Sequence, residues 1–107
     1  MTTFDSREKA FEDKFAHDEA LLFKARARRN RLLGEWLAAE MGLSGDAVKE
    51  YAGDVVASDL EEEGDGDVIR KVMADIAAKG LDISQHRIEK RLDELFDEAK
   101  RQIMSES

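Results

Sequence analysis

The sequence has no cysteine and no proline among its 107 residues, and five Phe, one Tyr and one Trp supply all its aromatic rings. Without thiols there is no disulfide framework and no thiolate-held metal. Without proline the strongest breaker of helices is missing. Strand-like alternation of Val, Ile and aromatics at period two is almost wanting as well. No run of about 20 apolar residues is present to span a membrane and no N-terminal stretch resembles a secretion signal, so a cytoplasmic protein with no direct membrane insertion is expected. The two histidines, His17 and His86, lie far apart and outside the Glu-x-x-His and His-Glu-x-x-His spacings of metal bundles and zinc proteases. There is no phosphate loop and no nucleophile elbow. No catalytic residue, no metal ligand and no required cofactor is therefore assigned, and the chain is not expected to be an enzyme.

What the sequence has in abundance is charge. Charged residues make up 39% of the chain and hydrophobic residues 42%, against roughly 25% charged in ordinary globular chains. That balance suits long, charge-laced helices around one core, in a chain long enough to bury roughly 60–65% of its unfolded surface. The net charge of −8 gives the molecule as a whole no attraction for nucleic acid or anionic lipid. The distribution is uneven: residues 21–42 carry five basic and two acidic side chains, whereas both the segment before and the segment after are net acidic. One basic stretch sits on an acidic body.

Helix punctuation organises the chain. In MGLSGDAV, Gly42 is suited to the left-handed position that stops a helix, and Ser44 is placed to cap the next, with Leu43 and Val48 spaced as a hydrophobic staple. In KGLDISQHRI the pattern recurs: Gly80 stops a helix, Leu81 folds back on Ile76, Ser84 caps, and Ile83 staples to Ile88. Between them, EEEGDGD at 61–67 reads as a loop, with Asp65 or Asp67 as the cap of a third helix. Helices are thus predicted near 21–41, 45–60, 68–79 and 85–103. Their apolar residues recur at helical spacing, for example Leu33, Trp36 and Leu37, then Tyr51, Ala52 and Val55, then Val72 and Ile76, then Ile88, Leu92, Leu95 and Ala99. Short connections favour antiparallel neighbours, so the fold class is all-α: a four-helix bundle over residues 21–107.

Residues 1–20 fit less readily and are assigned to an N-terminal arm. On a helix, Phe4, Phe11, Phe15 and Leu22 fall within about 40° of one another, a narrow apolar seam among charges. No cap precedes it, so an isolated helix here is marginal in water and the arm is expected to be mobile in the free chain. Two uses of the seam are open: an extension of the core, or a surface that folds on a partner. In the acidic loop, Asp59, Glu61, Glu63 and Gly64 match the start of a calcium-binding loop, but the position of the bidentate glutamate is Arg70, a cation, so a solvated turn is the reading. The run KARARRNR spreads Lys24, Arg26, Arg28, Arg29 and Arg31 around much of a helix. It reads as a face paired with acidic neighbours, with contact to phosphate or an acidic partner as the alternative.

Taken together, FDSREKAFEDKFAHDE, FKARARRNRLLGEW, MGL and the loop GDGDV resemble the zeta subunit family, the small inhibitor of the F-type ATP synthase in alphaproteobacteria. The resemblance runs essentially end to end and is densest over residues 4–36. Glu35 departs from it, standing where the family usually carries an apolar residue before the tryptophan. The resemblance implies an inhibitor of ATP hydrolysis, peripheral to the inner membrane through the ATP synthase, whose N-terminal segment enters the catalytic head of alpha, beta and gamma subunits as a helix and blocks rotation. Phe4, Asp5, Arg7, Glu8, Phe11, Glu12, Lys14 and Phe15 would then be the partner-binding residues. Family members are also associated with adenine nucleotides. That implies ADP or ATP as a regulatory ligand, for whose phosphates Arg26, Arg28, Arg29 and Arg31 are the candidates, and it leaves a nucleotide-sensing helical adaptor as the alternative function.

Overall fold

A computed structural model describes residues 13–15, 17–59 and 64–106. They are helical throughout, joined by turns, with no strand among them. After a helical turn at 13–15 come α1 (Glu19–Glu40), α2 (Asp46–Ala57), α3 (Gly66–Ala78) and α4 (Gln85–Glu106). Asp18 starts α1: its carboxylate accepts from the Leu21 N–H at 3.1 Å, satisfying one of the four amides that a helix start leaves open. Both glycine stops behave as expected. Gly42 has φ 80 and Gly80 φ 67; the N–H of Leu43 reaches back to Ala38 O and that of Leu81 to Ile76 O, the long-range bond of a Schellman turn. Ser84 caps α4 through its hydroxyl, which accepts from the Arg87 N–H.

Two caps differ from expectation. Helix α2 is preceded by Gly45 at φ 61, without a side-chain cap. Glycine takes that backbone conformation without the Cβ clash other residues suffer, and it leaves Ser44 one residue short of the capping position. Asp65 does stand before α3 but makes no capping bond; its carboxylate turns instead to Arg29, 2.9 Å away.

Helix α1 packs along both α2 and α4, while α3 bridges α2 and α4. The core draws on all four: Leu33 and Leu37 from α1, Val55 from α2, Val68, Val72 and Ile76 from α3, and Ile88, Leu92 and Leu95 from α4. Gly34 marks where α1 and α2 approach most tightly, since a Cβ there would lie 2.6 Å from Ala52 Cα. Trp36 packs at the edge of this core, with the guanidinium groups of Arg91 and Arg87 5.2 and 5.7 Å from its ring, a distance at which a cation is attracted to the ring's π face. Glu35, the departure noted above, is exposed and paired with Arg31 one turn earlier; a carboxylate costs nothing on that side of the helix.

Candidate partner-binding site

Of the eight residues assigned to the arm, Phe4, Asp5, Arg7, Glu8, Phe11 and Glu12 lie outside the described residues. Lys14 is exposed. Phe15 is 1% exposed, and this corrects the expectation that its ring is held open for a partner in the free chain. It enters a second apolar cluster with Ala25 and Ile103, flanked by Leu21, Leu22, Phe96 and Met104. The ammonium of Lys100 sits 4.3 Å from the Phe96 ring centre and 5.9 Å from that of Phe15, so the pocket pairs an aromatic floor with a buried cation. The physical reason is the break at His17–Asp18. Because Asp18 begins a new helix, the 13–15 turn need not continue the axis of α1, and the ring can fold onto the α1–α4 pair and leave water. The chain leading to the arm is thereby pinned at the N-terminal end of α1.

The basic run is used largely inside the molecule. Arg26 donates to Asp59 Oδ1 at 3.1 Å and to the carbonyl of Gly64 at 3.0 Å. Arg29, 3% exposed, bonds Asn30 Oδ1 through Nε and Nη2, pairs with Asp65 and lies 5.4 Å from the Phe96 ring centre. Asn30, fully buried, donates to the other oxygen of Asp59 at 3.1 Å. Arg28 forms a two-pronged pair with Glu106 at the end of α4. The bond to Glu106 holds the Arg28 guanidinium above its ordinary pKa, and the same bond holds the Glu106 carboxyl below its own. Arg31 makes a long, exposed contact with Glu35, 3.9 Å away, and its charge, with that of Lys24, also favours the ionised Glu106 carboxylate. Three of the four arginines considered for phosphate thus hold carboxylates, through charge-assisted bonds that a phosphate would have to displace.

This network ties α1 to both ends of the acidic loop. Asp59, considered as a calcium ligand, has both oxygens engaged, by Arg26 and Asn30. Among the described residues no three His, Cys, Asp or Glu side chains are grouped to hold a metal ion, and His17 and His86 are both exposed. The sequence reading did not single out Asn30 or Gly34 for a structural role. Asn30 follows an arginine-rich stretch where a polar residue reads as surface; the one available signal for Gly34 was a glycine in the middle of a strong helix pattern, which usually has a packing reason.

Comparison with known proteins agrees with this build. A family model described as ATPase inhibitor subunit zeta matches residues 1–102. The family is one of inhibitor subunits, regulatory rather than catalytic, and an inhibitor subunit acts by binding its ATPase. The chain belongs to the ATPase inhibitor subunit zeta family. A protein solved by solution NMR is 42% identical, with the match covering 79% of this chain and 96% of that one at a TM-score of 0.71. No curated protein matches.

Proposed function

We propose that this chain inhibits ATP hydrolysis by an F-type ATP synthase, with residues 4–12 entering the catalytic head of alpha, beta and gamma subunits as a helix and obstructing rotation. The observation that carries the reading is the family match from residue 1 onward, which takes in the arm as well as the helical body. The apolar seam supports it: burying Phe4 and Phe11 in a protein groove is worth about 1.5–3 kcal/mol for each ring, and the charged residues around them, Asp5, Arg7, Glu8 and Glu12, would set register. Pinning Phe15 to the body reduces the length of chain that must be ordered on binding, a saving in entropy. The internal pairs of Arg26, Arg28 and Arg29 favour a structural use of the basic run over an ADP or ATP site. No helix among the described residues is long and apolar enough to cross a membrane, and the proposed location is the cytoplasmic face of the inner membrane, through the synthase.

The test is ATP hydrolysis by the cognate catalytic head with the full chain and with a chain lacking residues 1–12. The full chain should inhibit. The shortened chain should not, while unfolding at the same temperature. Equal inhibition by both would sink the arm mechanism.

A further inference from the structure

Phe15 is buried, yet the turn that carries it spans only residues 13–15 and is separated from α1 by the break at His17–Asp18. A single turn is not held by its own hydrogen bonds. Asp13 and Lys14 on it are exposed, so the placement of the turn rests on the pocket around the Phe15 ring. The two walls of that pocket differ. On α1, Leu21, Leu22 and Ala25 follow directly on the Asp18 cap, which fixes the start of the helix. On α4, Phe96 and Lys100 stand more than a turn back from the end, but Ile103 and Met104 lie in the final turn of a helix that stops at Glu106. Helices fray at such a turn, because its carbonyls have no partner further along the helix.

Glu106 places a carboxylate at the negative end of the α4 dipole, and the last turn has no basic residue of its own to offset it. The offsetting charge comes from α1. Counting 100° per residue, Lys24, Arg28 and Arg31 fall within about 60° of one another. Arg28 grips both oxygens of Glu106 and also reaches Gln102, one turn earlier, at 3.4 Å. The bond from Arg28, and then the charges of Arg28, Lys24 and Arg31, hold the Glu106 carboxyl below its ordinary pKa, although desolvation acts the other way. The geometry points to a latch: the final turn of α4, bolted to α1 by Arg28 and Glu106, keeps Ile103 and Met104 over the Phe15 ring, and its unwinding releases the ring together with the 13–15 turn. Undocking the ring in turn uncovers Ile103, so whatever stabilises one partner stabilises the other. The latch belongs to the free chain and does not depend on the inhibitory reading.

The experiment follows the full chain under native conditions by chymotrypsin digestion, with the fragments identified by mass, and by amide exchange. Cutting after Phe15 requires the ring to leave its pocket, so its rate reports release. Phe23 is exposed but lies inside α1, so cutting there requires α1 to unwind and reports general loss of structure. Exchange at residues 103–106 reports the final turn of α4. Glu106→Arg sets a cation against Lys24, Arg28 and Arg31. It should speed both exchange at 103–106 and cutting after Phe15 by about fivefold, with cutting after Phe23 unchanged. Arg28→Glu should do the same, and the double variant Arg28→Glu with Glu106→Arg should return both rates close to those of the natural chain. Faster exchange at 103–106 with unchanged cutting after Phe15 would show that the ring does not depend on the final turn, and would overturn the latch. Cutting after Phe15 and Phe23 that rises in parallel would overturn it too, as a general loss of stability. Failure of the double variant to restore either rate would mean that Arg28 and Glu106 are not the bolt.

Discussion

Two phenylalanines eight residues apart show how little a residue's type says about its role. Phe15 carries charged neighbours in sequence yet is 1% exposed, while Phe23, inside a long helix, is 78% exposed. The difference lies in what stands opposite each ring: α4 supplies Ile103, Phe96 and Met104 to Phe15, and α2 ends before it reaches Phe23. Phe15→Ala should therefore lower stability by about 3–5 kcal/mol, the range for a buried aromatic truncated to Ala, and shift thermal unfolding of the isolated chain as far as Leu92→Ala does. An unchanged midpoint would mean that the ring is not part of the free chain's core. The seam spacing was legible in the sequence; which of its rings the body claims was not, because the answer depends on side chains about eighty positions away.

At the scale of elements, α1 is the organising helix and the least readable one. Its N-terminal half buries Ala25 against the cluster that holds Phe15 and Ile103, and its C-terminal half buries Leu33, Gly34, Leu37 and Ala38. The buried positions therefore move around the helix, and no single apolar stripe forms. Arg29 and Asn30, polar by type, are among them, made tolerable by partners at the two ends of the acidic loop, Asp65 and Asp59. Helices α3 and α4, each with a more regular apolar face, were legible from spacing. The tight crossing at Gly34 gives the element-scale prediction. Gly34→Ala puts a methyl against backbone, so it should cost about 1–3 kcal/mol through overpacking, despite the better helix propensity of alanine. Chemical denaturation would measure it, and a stabilised Gly34→Ala chain would mean that α1 and α2 separate easily.

For the whole molecule, one tyrosine reports on cohesion. Tyr51 of α2 donates to Asp75 of α3 at 2.8 Å, and Lys71 pairs with the same carboxylate at 2.9 Å. Burial first, then the bond to Asp75, then the charges of Asp75 and Asp54 push the Tyr51 hydroxyl well above its ordinary pKa of 10.0. Above that pH the unfolded chain has released the proton that the folded chain still holds, so the contribution is complete below pH 10.0 and is lost as pH rises toward the folded value. Since this is the chain's one tyrosine, tyrosinate absorbance should appear at higher pH in the folded chain than in denaturant. Tyr51→Phe should remove that part of the alkaline loss of stability. Coincident titrations in the folded and unfolded chains would show that the α2–α3 bond does not hold in solution.

By itself, the sequence determined that the chain is helical, where the helices stop at Gly42 and Gly80, and which apolar faces of α3 and α4 turn inward. These are local matters, set by backbone freedom at glycine, by capping chemistry and by a period of about 3.6 residues. The resemblance carried by residues 4–36 also placed the chain in its family. Only the tertiary structure decided that Arg26, Arg29 and Arg28 are spent on Asp59, Asp65 and Glu106, that Phe15 belongs to the body, and that Phe23 is left exposed. Each of those outcomes pairs groups far apart in the chain, and burial and charge neutralisation are properties of what folding brings together, not of the order in which residues are strung.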